Sequence, residues 1–551
     1  MRANIASYLP AMAQKVPYQR AIVITDGRDN HDRMIYRHMT YQELDAASTN
    51  MARGLLLSGF KKGDRAALMV PPSFELFVTT FGLFKAGIVP VFIDPGLGVK
   101  NLKACLSRAQ VQHFIGIPKA HIARTVLGWN RGQWREMVTI GTPHLWGKHN
   151  FEALLDLGKG STHEIAPTSS DDTAAVLFTS GSTGTPKGAV YSHKNFCTQI
   201  EMLKQAFDIK PGEIDLCTFP LFALFAPALG MTAVIPEMDF TRPAAVNPSN
   251  IFKAIETFGV QNMFGSPALI KRVGEAAVAQ GRQFPTLKRV ISAGAPVSAS
   301  VIETISKCLN PKARVFTPYG ATESLPVAIA DSQLILGETE GKTRNGAGVC
   351  VGIPVEGVDV KIIKTSDEVI SKWSDDLVLP QGDIGEICVS GDQVTQAYYN
   401  QDQATRLAKI PKSDGSGFYH RMGDLGYLDG NGRLWFCGRK SHRVVLASRK
   451  TIYTVPGESI INAHKEVMRS AIVGVGAGSK RRPVLCIQAR KHLSQPELEK
   501  LRQQISEICP AHPETQDLKE VLFHKDFPVD IRHNSKIFRE KLSSWAEGKL
   551  R

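Results

Sequence analysis

An apolar run at residues 174–178 ends directly on Thr179-Ser180-Gly181-Ser182-Thr183-Gly184-Thr185-Pro186-Lys187-Gly188. No other stretch limits the possible folds of this chain as strongly. Ala-Ala-Val-Leu-Phe reads as a buried strand. The ten residues after it carry five hydroxyl side chains, three glycines and one lysine. Glycine lets the backbone approach an anion and turn its N–H groups inward, hydroxyls add donors, and lysine adds a mobile positive charge. A loop that grips polyphosphate needs these three properties together. The loop differs from a Walker P-loop, where Gly-Lys-Ser/Thr enters a helix. Here Pro186 precedes Lys187 and Gly188 follows it. Proline disfavours a helical continuation, so the loop is expected to close over phosphates as a flexible flap.

The remainder of the chain is consistent with a sheet that presents such a loop. Short apolar runs at 66–70, 89–93, 290–292 and 358–363 read as strands. They alternate with amphipathic stretches such as 41–58, which is apolar at Leu44, Ala47, Met51 and Leu55. This alternation predicts an α/β protein with partly parallel sheets. At 551 residues the chain exceeds what one core supports, so at least two domains are expected. Three stretches read as loops, at 141–172, 331–346 and 364–382, the last as a charged surface insertion. A boundary is expected near 438–441. It separates a large unit of residues 1–440 from a small α+β unit of residues 441–551, with strands at 471–475, 484–487 and 521–524.

Composition excludes several function classes. With 43% hydrophobic and 21% charged residues the chain is an ordinary globular protein. Its net charge of +14 suits an anionic partner. The basic residues are scattered, however, and Lys480-Arg481-Arg482 is among the densest clusters, so nucleic-acid binding is not expected. Nine separated cysteines with no CxxC pair argue against a zinc site or a disulfide framework and favour a reducing, cytoplasmic setting. The N-terminus lacks the apolar region of a signal peptide. Residues 216–236 carry no charge but include Pro220, Pro227, Gly230 and Pro236. They are expected to line an apolar pocket and not to span a membrane.

The decapeptide resembles the phosphate-binding signature of the adenylate-forming superfamily, which includes acyl-CoA synthetases, luciferases and peptide-synthetase adenylation domains. The other signatures of that family follow in order. Ser292-Ala293-Gly294-Ala295-Pro296 resembles its adenine-side turn, and Tyr319-Gly320-Ala321-Thr322-Glu323 resembles its YGxTE motif. Gly423-Asp424, behind Arg421-Met422, resembles RTGD. Gly438-Arg439 resembles the hinge arginine, and Arg532-His533-Asn534-Ser535-Lys536 resembles the C-terminal catalytic-lysine motif. The resemblance implies ATP and Mg²⁺ as cofactors. It places Tyr319 on adenine, Thr322 on the α-phosphate, Glu323 and Thr179 on Mg²⁺, and Asp424 on the ribose. Ser180, Gly181, Ser182, Thr183, Gly184 and Lys187 would cradle phosphates, and Lys536 would swing in with a mobile C-terminal domain. Catalysis is assigned on this basis to Lys536, Glu323, Thr179 and Arg439.

Three positions depart from the thiol-using members of that family. Ala223 stands where ligases often carry histidine, and Ser441 stands at a hinge that is usually Asp or Lys. Ala447-Ser448-Arg449-Lys450 replaces a loop commonly written Arg/Lys-x-Gly-aromatic. Four further runs are similar to the β-lactone synthetases of bacterial long-chain olefin biosynthesis: Phe92-Ile93-Asp94-Pro95-Gly96, Phe114 to His121, Phe219 to Phe225 and Pro528 to His533. That resemblance implies a long-chain 2-alkyl-3-hydroxy fatty acid substrate, activated as acyl-AMP and closed to a β-lactone by its own hydroxyl. Other enzymes of the olefin pathway are the expected partners. The alternative is a long-chain acyl-CoA or acyl-carrier-protein ligase, and dependence on CoA separates the two. The apolar stretches 216–236 and 252–268 are the expected lining for two alkyl chains.

Overall fold

The computed structural model describes residues 4–94, 97–129, 132–162, 166–179, 186–477, 481–529 and 537–550. Each apolar run read as a strand is a strand, displaced by at most a residue or two in the large sheets. Arg65–Met69, Val89–Ile93, His113–Gly116, Glu136–Thr139, His149–Asn150 and Thr173–Thr179 lie parallel in a seven-stranded sheet. Lys187–Ser192 closes its edge by pairing antiparallel with Thr173–Thr179, so the phosphate-type loop joins two neighbouring strands. The helix Phe74–Lys85 connects Arg65–Met69 to Val89–Ile93 and is buried along nearly its whole length. This is the continuous apolar pattern of a parallel α/β layer.

A second, fourteen-stranded sheet runs from Asp359–Ile363 at one edge to Met34–Thr40 at the other. Its centre is parallel, through Thr232–Ile235, Ile214–Cys217, Asn262–Gly265, Arg289–Ser292 and Arg314–Ala321. From Arg314–Ala321 outward it is antiparallel, through Ser324–Asp331, Val349–Pro354, Leu434–Arg439 and Phe418–Leu428. In parallel α/β sheets, ligands bind beyond the carboxyl ends of the strands. The turn after Ser292 and the turn after Ala321 both lie there.

Residues from 444 onward form a sheet of Val467–Val475, Arg482–Ala489 and Glu520–Phe523. Two apolar clusters drawn wholly from residues 444–550 pack on that sheet. None of the described helices is long and apolar enough to cross a membrane. All nine cysteines are buried.

Two of the expected loops contain helices. Within 141–172 lies Phe151–Gly158, whose cap is Asn150, accepting the Ala153 N–H at 2.8 Å; Phe151 and Leu154 are buried. Its eight residues, between a glycine-rich flank and a polar one, are too few to establish a period. Within 331–346, Asp331 caps Ser332–Leu334 by accepting the Leu334 N–H at 2.9 Å, and helical turns continue to Arg344. Of these helical residues only Ser332 and Thr339 are buried, so no apolar stripe marks the segment. The third stretch, 364–382, is irregular apart from the single 3-10 turn Asp375–Leu377, and is more than a surface insertion. Its Ser366 carbonyl accepts from both Arg421 and Lys440, and Asp367 pairs with Arg443.

Candidate active site

The carboxyl ends of both sheets open on a cleft of about 1970 Å³. Lys187, Ala293, Gly294, Tyr319, Gly320, Ala321, Thr322, Glu323 and Arg439 all line it. Ala295 does not, although it belongs to the same turn. Residues 180–184 and Lys536 lie outside the described residues, as does the side chain of Thr179. The flanks of the Lys536 segment are described. Val529 and Ile537 bridge antiparallel, and Pro528, Val529 and Phe538 face the cleft.

Local structure explains how these groups meet. Lys187 is the cross-strand partner of Thr179, at the mouth of the loop. Its ammonium sits 4.9 Å from the Tyr398 ring centroid, a cation–π contact. The Tyr398 hydroxyl donates to Glu323 Oε1 at 2.6 Å. Glu323 is tied down further where Thr395 N–H donates to its carbonyl at 2.9 Å. Tyr191 donates to the neighbouring Thr322 carbonyl. Gly294 takes φ +91°, a left-handed turn that glycine adopts without strain.

Asp424 and Arg439 are directly opposed on antiparallel strands. The guanidinium lies 3.1 Å from Asp424 Oδ1, and the Tyr319 hydroxyl donates to Oδ2 at 2.7 Å. Burial pushes the Asp424 carboxyl upward, opposed by Arg439 and the Tyr319 hydroxyl. Asp424 therefore stands just behind the lining, joined to it by Tyr319. Beside it Glu386 binds Arg421 at 2.7 Å and Lys440 at 3.0 Å, all three largely buried. This network ties the Lys440 side chain to the large sheet just before Ser441.

Beyond this polar rim the cleft is apolar. Residues 216–236 fold into strand, two short helices and strand, and line the cleft as expected: Phe219, Leu221, Phe222, Leu224, Phe225 and Met231 form part of the wall. The 252–268 stretch divides. Phe264 and Ser266 face the cleft, whereas Phe252 is fully buried against Phe284 in a separate core. A polar rim of phosphate- and carboxylate-compatible groups on an apolar well suits an anionic head with long hydrocarbon chains.

A family model described as AMP-binding enzyme matches residues 11–399. The chain belongs to the AMP-binding enzyme family. It is 47% identical to an olefin β-lactone synthetase of Xanthomonas campestris pv. campestris over 98% of this chain and 97% of that one. It is 46% identical to an olefin β-lactone synthetase of Stenotrophomonas maltophilia over 99% and 98%. The fold is also that of the amide bond synthetase McbA from Marinactinospora thermotolerans, with a TM-score of 0.78 at 19% identity, covering 98% of this chain and 99% of that one.

Within this AMP-binding enzyme the three departures have clear positions. Ala223 is buried at the end of the helix Pro220–Ala223, and Ser441 lines the cleft. Arg449 adopts φ +65° in the tight turn between Val444–Val445 and Thr451–Ile452. The left-handed turn is thus kept without glycine, at a cost of roughly 1–2 kcal/mol. Tyr398, Tyr191 and Glu386 did not emerge from the sequence. Their partners lie 75 residues away for Tyr398–Glu323 and 131 for Tyr191–Thr322, so no local pattern marks them.

Proposed function

We propose that this enzyme activates a long-chain 2-alkyl-3-hydroxy fatty acid with ATP and closes the acyl-adenylate to a β-lactone, releasing AMP and pyrophosphate. The observation that carries this reading is the joining of one apolar cleft of about 1970 Å³ to the Lys187–Glu323–Tyr319–Arg439 rim. The chain's likeness to olefin β-lactone synthetases along its whole length supports the same reading.

The substrate carboxylate attacks the α-phosphorus in line, and pyrophosphate leaves. Lys187 and Thr322 hold the phosphates, Tyr319 lies against adenine, and Asp424 receives the ribose hydroxyls once Tyr319 releases it. Residues 179–184 and Lys536 complete the grip. A hard carboxylate oxygen at Glu323, with the Thr179 hydroxyl, fits Mg²⁺, which takes few protein ligands and several phosphate oxygens. Bound there, the ion would neutralise phosphate charge.

In the second step the substrate's 3-hydroxyl oxygen attacks the activated carbonyl. Its proton passes to solvent, and AMP departs with the bridging oxygen. Holding both groups in one cleft gives an intramolecular nucleophile an effective concentration on the order of 10⁵–10⁸ M. Strain in the four-membered ring opposes closure, and activation by AMP offsets it. We assign residues 441–551 to a unit that moves about Arg439–Ser441 between the steps, a known kind of gating motion. The cytoplasm and the neighbouring enzymes of olefin biosynthesis are its proposed setting.

Mass spectrometry of reactions with ATP, Mg²⁺ and such an acid, run with and without CoA, tests this. A product equal to the acid minus one water, formed without CoA, is expected. A thioester formed only with CoA would make the enzyme a ligase instead.

A further inference from the structure

Part of the cleft, its arm, is lined by the helix His193–Ala206 and the strands Ile214–Cys217 and Asn262–Gly265. Ile200, Leu203, Phe207, Ile209, Met231 and Phe264 supply hydrocarbon to the lining, beside the polar Gln199 and Thr218. Toward the amino ends of the strands come Asp215 and Asn262, cross-strand partners on the same face, which also line the cleft. Among the described residues the hydrogen bond of the Asp215 carboxylate is with the Cys217 thiol, at 3.1 Å. Burial pushes this carboxyl up, to about 6.

The nearby cation does not neutralise it by contact. Arg289 donates to Asn262 Oδ1 at 2.6 Å and to Glu213 at 2.8 Å, and is occupied there. Glu213 also accepts from the Asn262 amide at 3.3 Å, so the Asn262 side chain is fixed. The polar layer is therefore a rigid part of the sheet.

The depth of the arm follows from strand geometry. Asn262 lies two residues below Phe264 and four below Ser266, which stands at the level of the adenine-side turn. At about 3.3 Å per residue Asn262 lies roughly 13 Å below Ser266, which sets the depth of the arm. A hydrocarbon chain pushed beyond that depth would strip water from an ionised carboxylate and supply no hydrogen bond in return.

We propose that Asp215 is a specificity-determining residue, the polar floor that sets the maximum length of one of the two alkyl chains. This rests on the long-chain reading of the cleft. Chains that end above the floor gain from each methylene buried, and longer chains gain nothing further.

The test is AMP release by the full-length enzyme with a series of 2-alkyl-3-hydroxy acids, lengthening one alkyl chain at a time. In the wild type, kcat/KM is expected to rise by up to roughly fourfold per methylene and then stop rising, for one of the two chains. Asp215→Leu should move that cut-off to longer chains. Asp215→Asn, which removes the charge but keeps the size and polarity, should relax it less. Thermal melting identifies variants that remain folded. If folded variants keep the wild-type cut-off, or lose activity equally at every length, the proposal is overturned. If the wild type accepts short acids alone or none of the series, the long-chain reading itself fails and takes this proposal with it.

Discussion

Lys409 lies fully inside the protein, donates to the Thr395 carbonyl and rests 4.7 Å from the Phe418 ring centroid. Burial lowers its pKa from 10.5 to about 7, only partly offset by Glu323. The folded protein therefore releases this proton near pH 7, while the unfolded chain keeps it to about 10.5. Stability from this group is full above the unfolded value and is lost as pH falls through about 7. Comparing denaturant midpoints of wild type and Lys409→Met between pH 6 and 9 isolates the effect. The wild type should gain on the variant as pH rises; parallel profiles would show that Lys409 stays charged when folded. Nothing in the sequence around Lys409 announces this. Lys187, Glu323 and Arg439 were legible because each sits in a short motif whose spacing is chemical. Lys409 and Tyr398 acquire their surroundings only when distant strands meet, which a linear pattern does not encode.

The helices Tyr41–Leu57 and Phe151–Gly158 pack through glycine. A Cβ on Gly158 would lie 1.9 Å from the Asn50 carbonyl oxygen, and one on Gly54 would lie 2.0 Å from that of Leu154. Backbone cannot yield as a side chain tip can, so Gly158→Ala should cost about 1–3 kcal/mol and lower the melting temperature. Gly430→Ala, which meets nothing within 4 Å, is the control and should leave melting unchanged. Equal melting of the two variants would contradict this packing. The helix Tyr41–Leu57 was legible from its apolar period, and its start is sharpened by the Thr40–Glu43 capping box. Its partner was not, because eight residues between a glycine-rich flank and a polar one carry too few turns to show a period. Strands were recovered best, since buried parallel strands are short continuous apolar runs.

At the scale of the molecule, two large sheets set their carboxyl ends around one cleft, and Pro528, Val529 and Phe538 near the C-terminus add to its lining. The net charge of +14 favours approach of a triphosphate and an acid. The order of motifs made the adenylating class legible from sequence. The depth and walls of the cleft were not, because residues 216–236 and 252–268 look alike as apolar text although one lines the cleft and the other is divided between cleft and core.

In this mechanism the carboxylate, not the hydroxyl, is the group that receives AMP. The most direct test uses an acid carrying oxygen-18 at both carboxyl oxygens, with the released AMP and the lactone weighed by mass spectrometry. One heavy oxygen is expected in AMP and one in the lactone. AMP free of label, with both heavy oxygens kept in the lactone, would mean that the hydroxyl had been activated instead and would contradict it.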